Sequence, residues 1–144
     1  MESDESLREL LQNARTIAVV GMKEGENDDA FRVPRYLQQA GYRILPVNPK
    51  LDRVLGEACA PTLGEIRDIG SGIDIVNIFR ASENVPGHVD EILALDPRPR
   101  AVWMQLGIHH GPSARRLREA GILVLHDRCI MVDHRRLFGT STRE

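Results

Sequence analysis

Five short apolar runs constrain the fold of this 144-residue chain more than any other feature of its sequence. Each run has the length of a β-strand and is rich in β-branched residues, and the runs span residues 17–20, 44–47, 73–79, 101–106 and 122–125. Their apolar residues are nearly continuous rather than alternating, which is typical of strands that are covered on both faces. The runs therefore predict a mainly parallel sheet of about five strands.

Helical patterns separate these runs. Apolar residues recur at helical spacing at 33–40, 85–93 and 114–117, and single helices between strands predict right-handed βαβ units. We therefore expect a doubly wound α/β fold with helices on both faces of the sheet. The segment 51–71, with several glycines and a short helical patch, is interpreted as an irregular crossover.

An additional amphipathic helix is predicted before the first strand. Leu7, Leu10 and Leu11 share one face, and Ser6 and Glu9 have the spacing of a capping box. The expected organisation is an N-terminal helix over residues 1–15, one α/β domain over 16–138, and a C-terminal tail over 139–144.

Charge and composition exclude several classes of protein. The formal net charge is −2, so no global basic field recruits nucleic acid or an acidic membrane surface, and any anion site must be local. No apolar run approaches the roughly 18 residues of a membrane span. The charged first residues do not resemble a signal peptide, and the two cysteines, Cys59 and Cys129, are far apart, which favours a reducing cytoplasm.

Ligands of open parallel sheets bind outside the carboxyl ends of the strands, where the strand order reverses. After the first strand, Gly21 permits a sharp turn, but its spacing to Gly25 matches neither the dinucleotide-binding motif nor the P-loop. Lys23, Arg32 and Arg35 lie near this turn, where a bound phosphate would offset their unfavourable interaction with the helix dipole. The alternative is that these cations pair with the acidic residues of loop 24–29.

The second strand ends at Asn48, where an NAD-binding fold has Asp or Glu. An amide does not repel an added phosphate, and Lys50 and Arg53 could neutralise one, so this end suits a phosphorylated adenosine better than NAD. The alternative is a proline-bracketed turn with solvated cations.

The third and fourth strands end in residues that suit a long amphipathic arm. Phe79 and Arg80 fall at the sheet edge, although Phe79 is equally compatible with the core, while Gln105 offers an amide and Gly107 permits close backbone approach. The nearby histidines and Cys129 lack the spacing of a convincing catalytic or metal set, so we assign no catalytic residue and no metal ligand.

Taken together, these segments resemble the CoA-binding domain family, which comprises small stand-alone bacterial proteins similar to the nucleotide-binding domain of the succinyl-CoA synthetase α subunit. The resemblance covers residues 14 to 135. It is carried by IAVVG at 17–21, RVPRYLQQAGYRILPVNPK at 32–50, VLGE at 54–57, DIVNIFRASENVP at 74–86, VWMQLGI at 102–108 and DRC at 127–129. It implies a Rossmann-like domain that holds coenzyme A at the carboxyl edge of its sheet.

The resemblance also implies site residues. The diphosphate would contact Gly21, Met22, Lys23, Arg32 and Val33. The adenosine and its 3′-phosphate would contact Asn48, Pro49 and Lys50. The pantetheine arm would follow Phe79, Arg80, Val85, Gln105, Leu106 and Gly107. We expect backbone N–H groups and helix starts to supply most of the phosphate recognition, although the acidic loop after Gly21 departs from the small or proline residues usual in the family.

The expected function is binding of coenzyme A or an acyl-CoA in the cytoplasm, as a carrier, a sensor or the partner subunit of an enzyme, without autonomous catalysis. One alternative is an NADP-dependent oxidoreductase in which Lys50 or Arg53 holds the 2′-phosphate. Another is an interaction module that binds no ligand. Replacing Gly21 by valine is expected to abolish binding and to leave the fold mostly intact.

Overall fold

The computed structural model describes residues 2–67, 69–70 and 72–139. Its strands are β1 Thr16–Val20, β2 Arg43–Val47, β3 Arg53–Val54, β4 Glu57–Ala58, β5 Ile75–Ile78, β6 Ala101–Met104 and β7 Leu123–Leu125. Its helices are α1 Asp4–Asn13, α2 Asp29–Gln39, α3 Val85–Leu93, α4 Gly111–Glu119 and α5 Ile130–Phe138.

The main sheet has five strands in the order β2-β1-β5-β6-β7, and every neighbouring pair is parallel. The chain passes from β1 outward to β2 and then returns to β5 on the other side of β1, so the strand order reverses between β1 and β5. The prediction of a doubly wound parallel sheet of about five strands is confirmed. The carboxyl edge at the β1–β5 reversal is where such a fold binds ligands.

Both faces of the sheet are covered by helices, as predicted. Ile17 and Val19 of β1 pack into a core shared with α1, α2 and α5, whereas Ala18 and Val20 pack into a second core shared with α3 and α4. Alternate residues of one strand therefore enter different apolar cores, and this explains why the strands lack a polar face.

Three local features differ from the sequence-based expectation. The side chain of Ser3, not Ser6, caps α1, accepting a hydrogen bond from the Ser6 N–H at 3.1 Å. Segment 51–71 contains the antiparallel hairpin β3–β4 and a 3₁₀ turn at Leu63–Glu65. The sequence analysis also missed α5, whose Ile130 and Leu137 are buried in the first core.

None of the helices in the described ranges is long and apolar enough to cross a membrane. Of the predicted tail, residues 140–144 lie outside the described residues. The predicted N-terminal helix packs into the first core, with Leu7 and Leu11 fully buried.

Candidate functional site

A cavity of about 460 Å³ lies at the carboxyl edge of the sheet, where the ends of β1, β2 and β5 meet. Its volume falls within the range of small-molecule sites. We call it the switch-point cavity. It is lined by Val20, Gly21, Lys23, Val47, Asn48, Pro49, Lys50, Pro61, Thr62, Phe79, Arg80, Ala81, His88 and Glu91.

The cavity brings together predicted site residues from three separate loops. These residues are Gly21, Lys23, Asn48, Pro49, Lys50, Phe79 and Arg80. The other predicted residues, namely Met22, Arg32, Val33, Val85, Gln105, Leu106 and Gly107, do not line it. The loops after β1, β2 and β5 therefore converge as the sequence analysis expects, while individual side chains face elsewhere.

Gly21 lets the loop after β1 lie directly against the end of β5. Its φ is +85°, and a Cβ at this position would lie 2.6 Å from the carbonyl oxygen of Phe79 and 3.0 Å from Cδ of Arg80. The left-handed backbone and the close approach both require glycine. Valine here should therefore destabilise the fold as well as block binding, because its Cβ would strike the main chain of Phe79, directly after β5.

The first two backbone N–H groups of this loop form hydrogen bonds within the protein. The N–H groups of Gly21 and Met22 both donate to the carbonyl oxygen of Val47, at 3.1 and 3.2 Å. These bonds join the end of β1 to the end of β2. They also remove two donors that a phosphate would otherwise find at this turn.

The third N–H group of this loop, that of Lys23, bonds to a carbonyl of α2 that a proline leaves without its helical donor. Pro34 has no N–H, so the carbonyl oxygen of Ala30, four residues earlier, is left without its helical donor. The N–H of Lys23 donates to that oxygen at 3.3 Å. The N–H groups of residues 21–23 are therefore all bonded within the protein, so these three are not among the backbone donors that a phosphate would find.

Asn48 holds two loops together through its side-chain amide. Its Nδ2 donates to the carbonyl oxygen of Met22 at 2.7 Å, and its Oδ1 accepts from the N–H of Lys50 at 2.7 Å. The amide therefore fixes the shape of the cavity wall and positions the backbone of Lys50.

The cavity carries an excess of positive charge. Lys23 and Lys50 are exposed and Arg80 is half-buried, and in the part of the chain that the structure describes none of the three forms an ion pair. The carboxylate in the lining, Glu91, lies 2.8 Å from Nδ1 of His88 through its Oε1. Three unpaired cations around one cavity favour an anionic ligand.

His88 and Glu91 were not foreseen from the sequence. They are three residues apart on α3, so they share one face of that helix. This spacing was the available signal. Neither residue directly follows a strand, because the pair reaches the cavity from within the following helix.

The acidic loop after β1 pairs with arginines of α2. Arg32 forms an ion pair with Asp29, and Arg35 forms one with Glu26 at 3.3 Å. The alternative of a solvated, charge-paired loop therefore describes these two arginines. Because the pairs are exposed, each contributes at most about 1 kcal/mol, and Arg32 lies outside the switch-point cavity.

Three predicted contact residues have side chains in the cores. Met22 and Val85 are fully buried and Val33 is 2% exposed. Met22 and Val33 belong to the first core, and Val85 belongs to the second. Their side chains stabilise the loops and helices around the cavity instead of facing it.

Gln105 is also turned inward. It is 4% exposed, and its Oε1 accepts a hydrogen bond at 3.0 Å from the N–H of Ile130, the first residue of α5. The side-chain oxygen thus caps a helix that the sequence analysis missed. This contact gives Gln105 a structural role beside the predicted role on the ligand arm.

We expect Gln105→Leu to lower the free energy of unfolding by about 1–3 kcal/mol, because the buried N–H of Ile130 would lose its acceptor. Urea denaturation followed by circular dichroism measures the change. Gln39→Leu, at an exposed position at the end of α2, is the matched control, with an expected change within about 0.5 kcal/mol. An unchanged stability for Gln105→Leu would contradict the capping role.

Leu106 and Gly107 form the next part of the carboxyl edge, after β6. Leu106 is 72% exposed, which is unusual for a large apolar side chain in this protein. The N–H of Gly107 donates to Oδ1 of Asp127 at 2.7 Å, and this bond joins the loops after β6 and β7. The edge between β5 and β7 therefore presents an apolar surface on a fixed backbone.

No group of three or more His, Cys, Asp or Glu side chains within the described ranges could hold a metal ion. Of the residues that were considered as ligands, His134 is buried, and its Nδ1 lies 2.7 Å from the hydroxyl of Tyr36. Cys59 and Cys129 are free thiols. Burial raises the pKa of the Cys59 thiol.

The parallel sheet, its strand reversal and the cationic cavity at that point define a Rossmann-like α/β domain with a cationic cavity at its carboxyl edge. Comparison with known families then identifies the particular class. The chain belongs to the CoA binding domain family, whose sequence model matches residues 15–135. The resemblance stated from the sequence motifs is thereby confirmed.

Two similar proteins match nearly the whole chain. The uncharacterized protein YneT of Bacillus subtilis is 37% identical over 132 residues, which cover 92% of this chain and 94% of YneT. The structure of cell-free ID.343 from Thermus thermophilus is 42% identical, with a TM-score of 0.89, and the match covers 95% of this chain and 100% of that one.

A larger enzyme shares the fold. A dinucleotide-forming acetyl-coenzyme A synthetase from Ca. Korarchaeum cryptofilum, solved in complex with phosphate and ADP, matches with a TM-score of 0.67 and 23% identity. The match covers 84% of this chain and 27% of the synthetase chain. The same architecture therefore also occurs as one part of a longer protein.

Proposed function

We propose that this protein binds coenzyme A or an acyl-CoA in the switch-point cavity and acts as a carrier, a sensor or the partner subunit of an enzyme. The observation that carries the proposal is the grouping of three unpaired cations, Lys23, Lys50 and Arg80, around a cavity at the strand reversal of a CoA-binding-family fold. Coenzyme A is a polyanion with phosphates at two places, and these cations likewise lie on separate loops.

The three cations lie at positions that suit different phosphate groups of coenzyme A. Lys23 and Arg80 follow β1 and β5, on either side of the reversal, and suit the diphosphate. Arg80 can bind phosphate oxygens through two parallel hydrogen bonds. Lys50 follows β2, on the outer side of the cavity, and suits the 3′-phosphate of the adenosine.

The remaining wall of the cavity suits the purine ring. Pro61, Thr62 and His88 of α3 also line the cavity. The contact of His88 with Glu91 fixes the orientation of the imidazole. A flat purine ring that packs on a proline or an imidazole removes apolar surface from water at little conformational cost.

The proposed role is binding without autonomous catalysis. The described lining of the switch-point cavity contains no cysteine or serine, and the hydroxyl of Thr62 donates to Oε1 of Glu65 at 2.9 Å. The acetyl-coenzyme A synthetase neighbour, in which this fold is part of a longer chain, supports the option of a partner enzyme subunit. The free thiols of Cys59 and Cys129 favour the cytoplasm as the compartment.

Calorimetric titration of the intact protein with CoA, dephospho-CoA, NADP and NAD tests this proposal. We expect CoA to bind, and dephospho-CoA to bind more weakly because it lacks the 3′-phosphate. Tight binding of NADP without binding of CoA would favour an oxidoreductase instead. Absence of binding for all four would favour an interaction module without a ligand.

Lys50→Gln is expected to weaken CoA binding by about tenfold and to leave dephospho-CoA binding within about twofold, because the lost charge faces only the 3′-phosphate. The same calorimetry measures both affinities. Arg53→Gln is the control, since its guanidinium donates to the carbonyl oxygen of Gly56 and lies outside the cavity. Equal weakening of both ligands by Lys50→Gln would contradict the assignment.

A further inference from the structure

A second cavity, of about 710 Å³, lies at the carboxyl end of β7. We call it the histidine cavity. It is lined by Glu2, His109, Arg118, Val124, Leu125, His126, Asp127 and Arg128. The proposed binding of the nucleotide part of coenzyme A does not use it.

Hydrogen bonds join the two cavities into one continuous rim. The N–H of His109, in the histidine cavity, donates to Oγ of Ser82 at 3.0 Å, and Ser82 directly follows Ala81 of the switch-point cavity. The bond from Gly107 to Asp127 holds the loops after β6 and β7 together in the same way. The loops after β5, β6 and β7 therefore form one fixed edge with a cavity at each end.

The pantetheine arm is long enough to reach from the end of β5 to the end of β7. Neighbouring strands lie about 4.8 Å apart, so β7 lies roughly 10 Å from β5, two strands away. The arm is as long as about four extended residues, or roughly 14 Å. Leu106, 72% exposed on the intervening edge, offers an apolar surface for its passage. An arm that begins at the diphosphate can therefore deliver its thiol end to the histidine cavity.

Two imidazoles lie in the histidine cavity, where the pantetheine arm would end. The rings of His109 and His126 pack edge to face, with their centroids 4.3 Å apart. Burial lowers the pKa of His126, and the charges of His109 and Arg118 lower that pKa further. The imidazole of His126 is therefore neutral near pH 7, and in this form it can still donate one N–H.

Arg118 supplies the cation of the histidine cavity. Its Nη2 donates to the carbonyl oxygen of Val124 at 3.3 Å, and in the described part of the chain it has no carboxylate partner. Arg128, by contrast, is paired with Asp133 through two hydrogen bonds of 2.9 and 3.0 Å. Asp127 in the same lining already accepts from Gly107. The cavity thus offers one guanidinium that has no carboxylate partner, and its lining also holds the carboxylates of Glu2 and Asp127 and the apolar residues Val124 and Leu125.

We propose that the histidine cavity is the acyl subsite and that it takes a short acyl group ending in a carboxylate, with Arg118 as the ion-pair partner of that carboxylate. The imidazoles of His109 and His126 supply hydrogen bonds beside it. This inference rests on the proposed function, because it needs coenzyme A to lie in the switch-point cavity.

Calorimetry of the intact protein with matched acyl-CoA pairs tests the inference. The pairs are malonyl-CoA with propionyl-CoA, succinyl-CoA with butyryl-CoA, and glutaryl-CoA with valeryl-CoA, whose members have equal numbers of acyl carbons. In at least one pair we expect the carboxylate-bearing member to bind at least about tenfold more tightly. Arg118→Gln should remove this preference, with an unchanged unfolding temperature. Arg116→Gln, on the same helix but paired with Asp90 at 3.0 Å, should retain it.

Equal affinities within all three pairs would overturn the acyl subsite and leave the proposed binding of coenzyme A standing. A preference that survives Arg118→Gln would also overturn it. Failure to bind CoA itself would instead refute the proposed function, and the subsite with it.

Discussion

Gly21→Ala is expected to lower the free energy of unfolding by about 2–5 kcal/mol. Adopting φ +85° costs a residue with a Cβ about 1–2 kcal/mol. The Cβ would also lie 2.6 Å from the carbonyl oxygen of Phe79, and relieving such overpacking costs about 1–3 kcal/mol more. The main chain of Phe79 must move to relieve the contact, and it directly follows β5, which is buried on both faces. Urea denaturation measures the loss.

Gly121→Ala is the matched control for this prediction. Its φ of +86° is nearly the same, but a Cβ there would meet no atom within 4 Å. It should therefore lose only the conformational part, about 1–2 kcal/mol. Equal losses at the two positions would show that the approach of Gly21 to Phe79 is not what restricts this site.

Arg80→Gln is expected to weaken CoA binding by about 10–100-fold, because hydrogen bonds to charged groups contribute about 1.5–3 kcal/mol. Arg80 lies at the strand reversal, is half-buried, and has no carboxylate partner in the described residues. Its charge is therefore available to the diphosphate. Glutamine keeps a polar side chain but removes the charge and the two-pronged donor geometry.

Arg100→Gln controls for the change in net charge. Arg100 is exposed and precedes β6, so it lies at the opposite edge of the sheet, 4.0 Å from Asp74. Its replacement should leave CoA affinity within about twofold. If Arg80→Gln binds CoA as tightly as the unaltered protein, the diphosphate lies elsewhere.

The sheet and most helices were predictable because their patterns depend on burial alone. A strand such as β1 that is covered on both faces requires continuous apolar residues, whichever strands and helices pack beside it. The hairpin β3–β4 and helix α5 were not predicted. The hairpin strands are only two residues long, which is too short for an alternating pattern of apolar and polar residues. Helix α5 has nine residues, and its apolar spacing is interrupted by charged residues.

The loops of the cavity were predictable, but the direction of each side chain was not. Topology brings residues after β1, β2 and β5 to one edge, and this follows from strand order. Whether Met22 faces a ligand or the core depends on packing against other elements, and in the structure it is fully buried. The capping contact of Gln105 was equally hidden, since it requires α5.

The backbone N–H groups of Gly21, Met22 and Lys23 bond within the protein, and this makes the expected affinity for a ligand depend on salt. Backbone donors hold a phosphate at short range, whereas the attraction proposed here comes from the side-chain charges of Lys23, Lys50 and Arg80. Dissolved ions screen such charges over a Debye length of about 8 Å at physiological ionic strength. Affinity for a polyanion should therefore fall steeply as salt rises, so that ionic strength as well as ligand supply would set how much of the protein is loaded.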